Sequence, residues 1–201
     1  MRRLLVVGLL TFLAACSVSK DAEEAPAASP FHAKEIQAHY GEGFEMTDIQ
    51  GQTRSLADWR GKVVLVFFGY THCPDACPSA LYRFSQVMEL LGQEAAQVQV
   101  LFVTLDPARD TPEVLRNYAP AFHPSFVGLY TSPERTPEMA RAFHVVYRIA
   151  PGETPDRYSV DHSVGTYAYD PTGRLRLEIP HIATPEEIAD DVRQLLGNVK
   201  K

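Results

Sequence analysis

The run Val63-Val64-Leu65-Val66-Phe67-Phe68 is apolar at every position, and Gly69-Tyr70-Thr71-His72-Cys73-Pro74-Asp75-Ala76-Cys77-Pro78 follows it directly. A strand that is apolar on both alternations needs cover on both faces, so this run reads as a central strand of a two-sided sheet. Ala80 to Leu91 has helical spacing. Pro78 has no N–H to lose and is tolerated in a first helical turn, which sets the helix start close to Asp75–Pro78. Cys73 then falls on the loop before the helix and Cys77 in or beside its first turn. Two thiols, with three residues between them, stand where a buried strand hands over to a helix N-terminus. Amide N–H groups and the positive dipole end there are expected to favour thiolates. Thiolates bind soft metals and exchange electrons, so the segment reads as a metal or redox site.

The rest of the chain supplies a sheet around that strand. Val98 to Leu105 is a second apolar run and Phe126 to Tyr130 a third, with a helix-sized segment between neighbours. Strands that alternate with helices favour a parallel-centred α/β sheet. Val164 to Tyr169 and Leu175 to Ile179 flank the turn signal Asp170-Pro171-Thr172-Gly173 and read as an antiparallel hairpin. A smaller hairpin is expected at Phe44–Ile49 and Gln52–Leu56 around Gln50-Gly51. Three helix starts repeat one device: Thr111-Pro112-Glu113, Thr136-Pro137-Glu138 and Thr184-Pro185-Glu186 each read as N-cap, proline, acid. The order is an initial hairpin, βαβα, then ββα. That is an α/β, thioredoxin-like layout with additions, in one domain over residues 31–201.

The N-terminus accounts for the third cysteine. Met1-Arg2-Arg3 is a positive n-region, and Leu4 to Leu13 is an apolar stretch too short to span a membrane as an ordinary helix. Leu13-Ala14-Ala15-Cys16 resembles the end of a bacterial lipoprotein signal. The resemblance implies that residues 1–15 are a signal peptide and that Cys16 carries the lipid. Residues 16–30, rich in Ala, Ser, Pro and Glu, are too poor in large apolar side chains to fold, and read as a tether. The chain would then be anchored by lipid in the bacterial cell envelope, facing the periplasm. Cys73 and Cys77 would meet an oxidising compartment.

A net charge of −6, with no basic patch interleaved with aromatics, gives no footing for nucleic acid. A structural zinc site wants four ligands in two close pairs, and the second pair is missing. Gly41-Glu42-Gly43 lacks the third glycine of a dinucleotide motif, and no phosphate loop or nucleophile-elbow serine occurs.

Two thiolates alone are an incomplete shell for most metals, but a soft ion such as Cu(I) takes them and an imidazole can finish a three-coordinate site. Seven histidines are available. His72 adjoins Cys73, yet successive side chains near a strand end point to opposite faces, which turns it away. His162, in Tyr158-Ser159-Val160-Asp161-His162-Ser163-Val164-Gly165, lies just before a late strand that can approach the cysteine end. Asp161 beside it is a candidate to orient the ring. By spacing alone, His162 as ligand and His162 as a strand-edge residue bonded to Asp161 stand level. A structural disulfide is the corresponding alternative for the cysteines.

Three separated motifs shift that balance. Gly69 to Pro78, Asp106-Pro107-Ala108-Arg109-Asp110-Thr111-Pro112 and Tyr158 to Ser163 resemble, in order and approximate separation, the signatures of the Sco/SenC family, over roughly Phe44 to Leu196. The resemblance implies a thioredoxin-like fold and copper, as Cu(I) or Cu(II), held by Cys73, Cys77 and His162. It also implies a part in building the copper A centre of cytochrome c oxidase subunit II. Members are credited with copper delivery, with reduction of the target's cysteines, or with both. The first makes the chain a metallochaperone served by a periplasmic copper donor. The second makes it a periplasmic thiol–disulfide oxidoreductase served by a thiol reductant. Cys73 and Cys77 are then also a redox pair, because a disulfide removes both sulfur donors and expels the metal. Asp106, Arg109 and Asp110 read as a helix-entry loop held by carboxylate–guanidinium contacts, not as ligands.

Overall fold

Strand β4 (Val63–Gly69) forms on the apolar run, and all seven of its residues are buried. The computed structural model describes residues 29–154 and 157–197. The segments expected to be a signal peptide (1–15) and a tether lipidated at Cys16 (16–30) lie wholly or mostly outside the described residues. Before β4 come β1 (Lys34–Glu35), β2 (Met46–Asp48) and β3 (Thr53–Arg54). After it come α1 (Ala76–Leu91), β5 (Val98–Thr104), α2 (Pro112–Phe122), β6 (Val127–Tyr130), α3 (Thr136–Ala142), β7 (Tyr147–Ala150), β8 (Ser159–His162), β9 (Thr166–Tyr169), β10 (Leu175–Ile179) and α4 (Pro185–Gly197).

Eight strands make one mixed sheet in the order β1-β10-β9-β4-β5-β6-β2-β3. Its centre is parallel, β4 beside β5 and β5 beside β6, because helical crossovers join those strands. β9 pairs antiparallel with the other edge of β4. Neighbouring residues of β4 reach opposite layers. Phe67 packs on Phe84 of α1, with ring centroids 6.1 Å apart, and Phe68 packs on Phe143 beyond α3, at 5.1 Å. Helices therefore cover both faces of the sheet, as the apolar run requires, and α1 also packs against α4 and α2. The result is the thioredoxin-like arrangement, a mixed sheet flanked by four helices.

Both expected hairpins form: β2 with β3, and β9 with β10, the latter with a register shift between Leu175 and Leu177. Thr111 caps α2, its hydroxyl accepting from the Val114 amide. Thr184 and Glu187 exchange backbone-to-side-chain bonds in a capping box at α4. Thr136 differs from the expected cap. It lies inside α3, where its amide and hydroxyl both donate to the Ser132 carbonyl, because the preceding turn already fills the cap position.

The larger departure concerns the third motif. Its residues were expected to precede a strand, but Ser159–His162 is itself β8 and pairs antiparallel with β7 in a separate two-stranded sheet. His162 stands opposite Tyr147, and Asp161 opposite Arg148.

Candidate metal centre

Local chain geometry places the sulfurs. β4 ends at Gly69, and the backbone turns so that the Cys73 amide donates to the Tyr70 carbonyl at 3.3 Å. Asp75 is the N-cap of α1, so Cys77 is its second residue, fully buried, while Cys73 on the loop is half-buried. Gly69 is required beside Cys77: a Cβ there would sit 2.7 Å from Cys77 Sγ and 3.0 Å from the Phe102 ring. Both cysteines are free thiols, within hydrogen-bonding reach of each other.

The imidazole arrives from the β7–β8 hairpin. His162 Nε2 lies 3.8 Å from Cys77 Sγ, a contact between residues 85 apart in sequence. His162 Nδ1 donates to the Ser163 carbonyl at 2.8 Å, which fixes the tautomer and leaves the Nε2 lone pair facing the sulfur. The Tyr70 ring meets the imidazole edge-on, with centroids 6.3 Å apart. A three-coordinate first-row ion with bonds of about 2.3 Å to sulfur and about 2.0 Å to nitrogen holds those atoms about 3.7 Å apart. The observed separation fits such an ion without rearrangement of this pair. Among the described residues, no three His, Cys, Asp or Glu side chains are already gathered into a closed ligand cluster.

Electrostatics refine the sequence expectation. Burial holds His162 below the ordinary imidazole range, against the opposing pull of the Ser163 carbonyl and the Asp161 charge, so the ring is neutral at neutral pH. The helix N-terminus was expected to favour thiolates. For Cys77 burial wins and pushes the thiol up, the Tyr70 backbone opposing it and the Cys73 sulfur adding to it. A metal must therefore displace a proton from Cys77 as it binds.

Asp161 takes a partner other than the ring. Its Oδ2 accepts from Arg148 Nη2 at 2.7 Å, across the ladder, because adjacent strand residues face opposite sides. Only its charge reaches His162. His72 turns to Asp110 Oδ1, at 3.7 Å. His39 meets Glu42, His123 meets Ser125, and His144 stacks on Tyr40.

The Asp106–Asp110 loop was expected to hold itself together, and it does, with Arg109 Nε 2.5 Å from Asp106 Oδ2. It also reaches outward, to Thr71 and to Tyr158. Neither these links nor the service of Gly69 was legible in the sequence, although all of these residues lie inside or beside the three motifs. A cleft of about 760 Å³ opens at the other end of the sheet, between residues 36–43 and the β9–β10 turn, and contains no cysteine. Cys73, Cys77 and His162 do not line that cleft.

Comparisons with known proteins agree with the fold. The family model SCO1/SenC matches residues 32–197. The protein SCO2 homolog, mitochondrial, of Bos taurus is 39% identical over 161 residues, which are 79% of this chain and 60% of that one. The chain thus spans about 60% of the length of that mammalian relative. An SCO2-like protein of Rickettsia prowazekii is 35% identical over 175 residues, 87% of this chain and 83% of that one. The copper-bound structure of Bradyrhizobium japonicum ScoI superposes with a TM-score of 0.70 at 34% identity, covering 80% of this chain and 99% of that one.

Proposed function

The chain belongs to the SCO1/SenC family, and from that membership we propose that it carries copper for the assembly of cytochrome c oxidase. Cys73, Cys77 and His162 are the ligands in this reading. The observation that carries it is the 3.8 Å approach of a neutral imidazole, lone pair first, to a sulfur 85 residues away. A dithiol reductase can run on the two thiols alone, whereas a soft ion needs the ring to finish a three-coordinate shell.

The roles of the three donors follow from their settings. Cys77, enclosed by Gly69 and Phe102, is the fixed donor. Cys73, half-buried on the loop, turns its sulfur to the ion and is the donor an incoming thiolate reaches first. Both thiols release their protons as copper binds, and the ring binds without releasing one. A target cysteine then joins the open three-ligand shell and the ion passes by ligand exchange. The recipient is cytochrome c oxidase subunit II, with the chain held at the periplasmic face of a membrane through lipid on Cys16. Among the described residues no helix is long and apolar enough to cross a membrane.

The test is copper titration of the reduced full-length protein beside Cys73→Ala, Cys77→Ala and His162→Ala. Sulfur-to-copper charge transfer should vanish in both cysteine variants. Affinity should fall about 10- to 100-fold or more in His162→Ala, at least the loss usual for a ligand's supporting partners. Unchanged stoichiometry and affinity in all three overturns the reading.

A second reading, reduction of the target's cysteines, draws on one observation: a half-buried Cys73 beside a buried Cys77 on a thioredoxin-like frame suits attack by the first and resolution by the second. His162→Ala separates the two, since it should cripple a copper carrier and spare a reductase.

A further inference from the structure

The loop from Thr104 to Thr111 contributes no metal donor, yet its side chains run to both halves of the site. On one side Asp110, fully buried, accepts from the Thr71 amide at 2.9 Å, from the Thr71 hydroxyl at 2.6 Å and from the Thr104 hydroxyl at 2.6 Å. Thr71 is two residues before Cys73. On the other side Arg109 Nη1 donates to the Tyr158 carbonyl at 2.9 Å, and its guanidinium carbon lies 3.5 Å from the Tyr158 ring centroid. The Tyr158 hydroxyl donates to Asp106 Oδ1 at 2.7 Å, and Asp106 Oδ2 accepts from Arg109 Nε. Tyr158 immediately precedes β8, the strand that ends in His162.

The loop between these two anchorages is itself stiff. The amides of Arg109 and Asp110 both donate to the Asp106 carbonyl, and the Asp106 amide donates to the Thr104 hydroxyl. Burial and the Asp106 carboxylate push the Tyr158 phenol up to about 12, so it stays a donor throughout the physiological range. A fork-shaped guanidinium that both stacks on a ring and bonds its carbonyl fixes distance and angle together.

We propose that this loop is the spacer that sets the sulfur-to-imidazole separation. Asp110 positions the cysteine loop through Thr71, and Arg109 and Asp106 position the histidine hairpin through Tyr158. The inference rests on the three-ligand reading above and adds to it that the gap is fixed before any metal arrives. Arg109, Asp106, Tyr158 and Asp110 are positioning residues: none touches the ion.

The experiment uses the reduced, metal-free full-length protein and the variants Arg109→Gln, Arg109→Lys, Tyr158→Phe and Asp110→Asn. Amide hydrogen exchange is followed across the hairpin and β4, together with the His162 ring resonances, which the neighbouring Tyr70 ring shifts. Arg109→Gln should raise hairpin exchange and move the His162 resonances while β4 amides stay protected. Asp110→Asn should instead raise exchange around Thr71. Arg109→Lys keeps the charge without the fork and should rescue little. Tyr158→Phe, which loses one hydrogen bond and keeps the ring, should show the same pattern at smaller amplitude. In copper titrations, Arg109→Gln should weaken binding about 10- to 100-fold, as loss of an outer-shell partner typically does.

Hairpin exchange and His162 resonances unchanged in both Arg109→Gln and Tyr158→Phe overturn the spacer. So does a uniform rise in exchange that includes β4, which marks general destabilisation. If wild-type protein binds copper without His162, the three-ligand reading falls, and the metal-free measurements still decide the spacer.

Discussion

The cysteine loop and the histidine hairpin meet at one point but are built on different foundations. The cysteines sit at the joint of β4 and α1, both wholly or largely inside the core, with β5 and β9 hydrogen-bonded along both edges of β4. His162 sits on a two-stranded ribbon outside the main sheet, where Val160 is its buried residue and Asp161 and Ser159 face solvent. The sulfur side is set mainly by strand pairing and apolar burial, with the Asp110–Thr71 bonds added at the loop. The imidazole side is held by one buried valine and side-chain ties to a neighbouring loop. The proposed copper carrier, which has to grip and then let go, would be well served by one fixed donor group and one that a local opening can free.

Paired substitutions sharpen or break that contrast. The largest difference is expected between Phe102→Ala and Val160→Ala. Phe102 is fully buried beside Cys77, and its truncation should cost about 3–5 kcal/mol of stability in chemical denaturation. Val160→Ala should cost about 1–2 kcal/mol and show as local hairpin exchange more than as a lower midpoint. Equal costs with fully cooperative loss would mean that the hairpin belongs to the same folding unit as the sheet.

A smaller difference is expected between two glycines. Gly69→Ala pushes a methyl against Cys77 Sγ and the Phe102 ring, and should destabilise by about 1–3 kcal/mol while displacing the sulfur. At Gly165 the nearest atom to a new Cβ is Glu178 Oε1 at 3.4 Å, so Gly165→Ala should stay within about 0.5 kcal/mol. Thermal melts of the two variants, with thiol accessibility measured in the first, check both. A benign Gly69→Ala would show that the cysteine side is looser than its packing implies.

The smallest effect is expected at Asp161→Asn. Its partner Arg148 is largely in solvent, so the loss should stay below about 1 kcal/mol and shrink further in high salt. A loss of several kcal/mol would give this ion pair a structural weight that its exposure denies.

The pattern of legibility follows the range of the forces involved. β4 and β5 were readable because a run that is apolar on both alternations needs two-sided burial wherever it falls. The β9–β10 hairpin was readable because Asp-Pro-Thr-Gly forces a turn locally. β7 and β8 were not, since each is four residues long and the connection 151–158 between them carries no two-residue hairpin signal. Asp161 was assigned to the ring because it is the neighbour in sequence. Strand alternation, which correctly turned His72 away from Cys73, sends Asp161 to Arg148 by the same rule once β8 is known to be a strand.

Neighbouring residues alone determined a buried strand, a helix that starts within a few residues of it, two thiols at the joint and a histidine in a recognisable third motif. Folding in three dimensions decided that this histidine reaches Cys77 and that burial outweighs the helix terminus at that thiol. It also decided that Arg109 and Asp110 link the two sides. The reason is physical: strand, turn and cap preferences act over a few residues, whereas a contact across 85 residues exists only when the packed core has closed the chain between them.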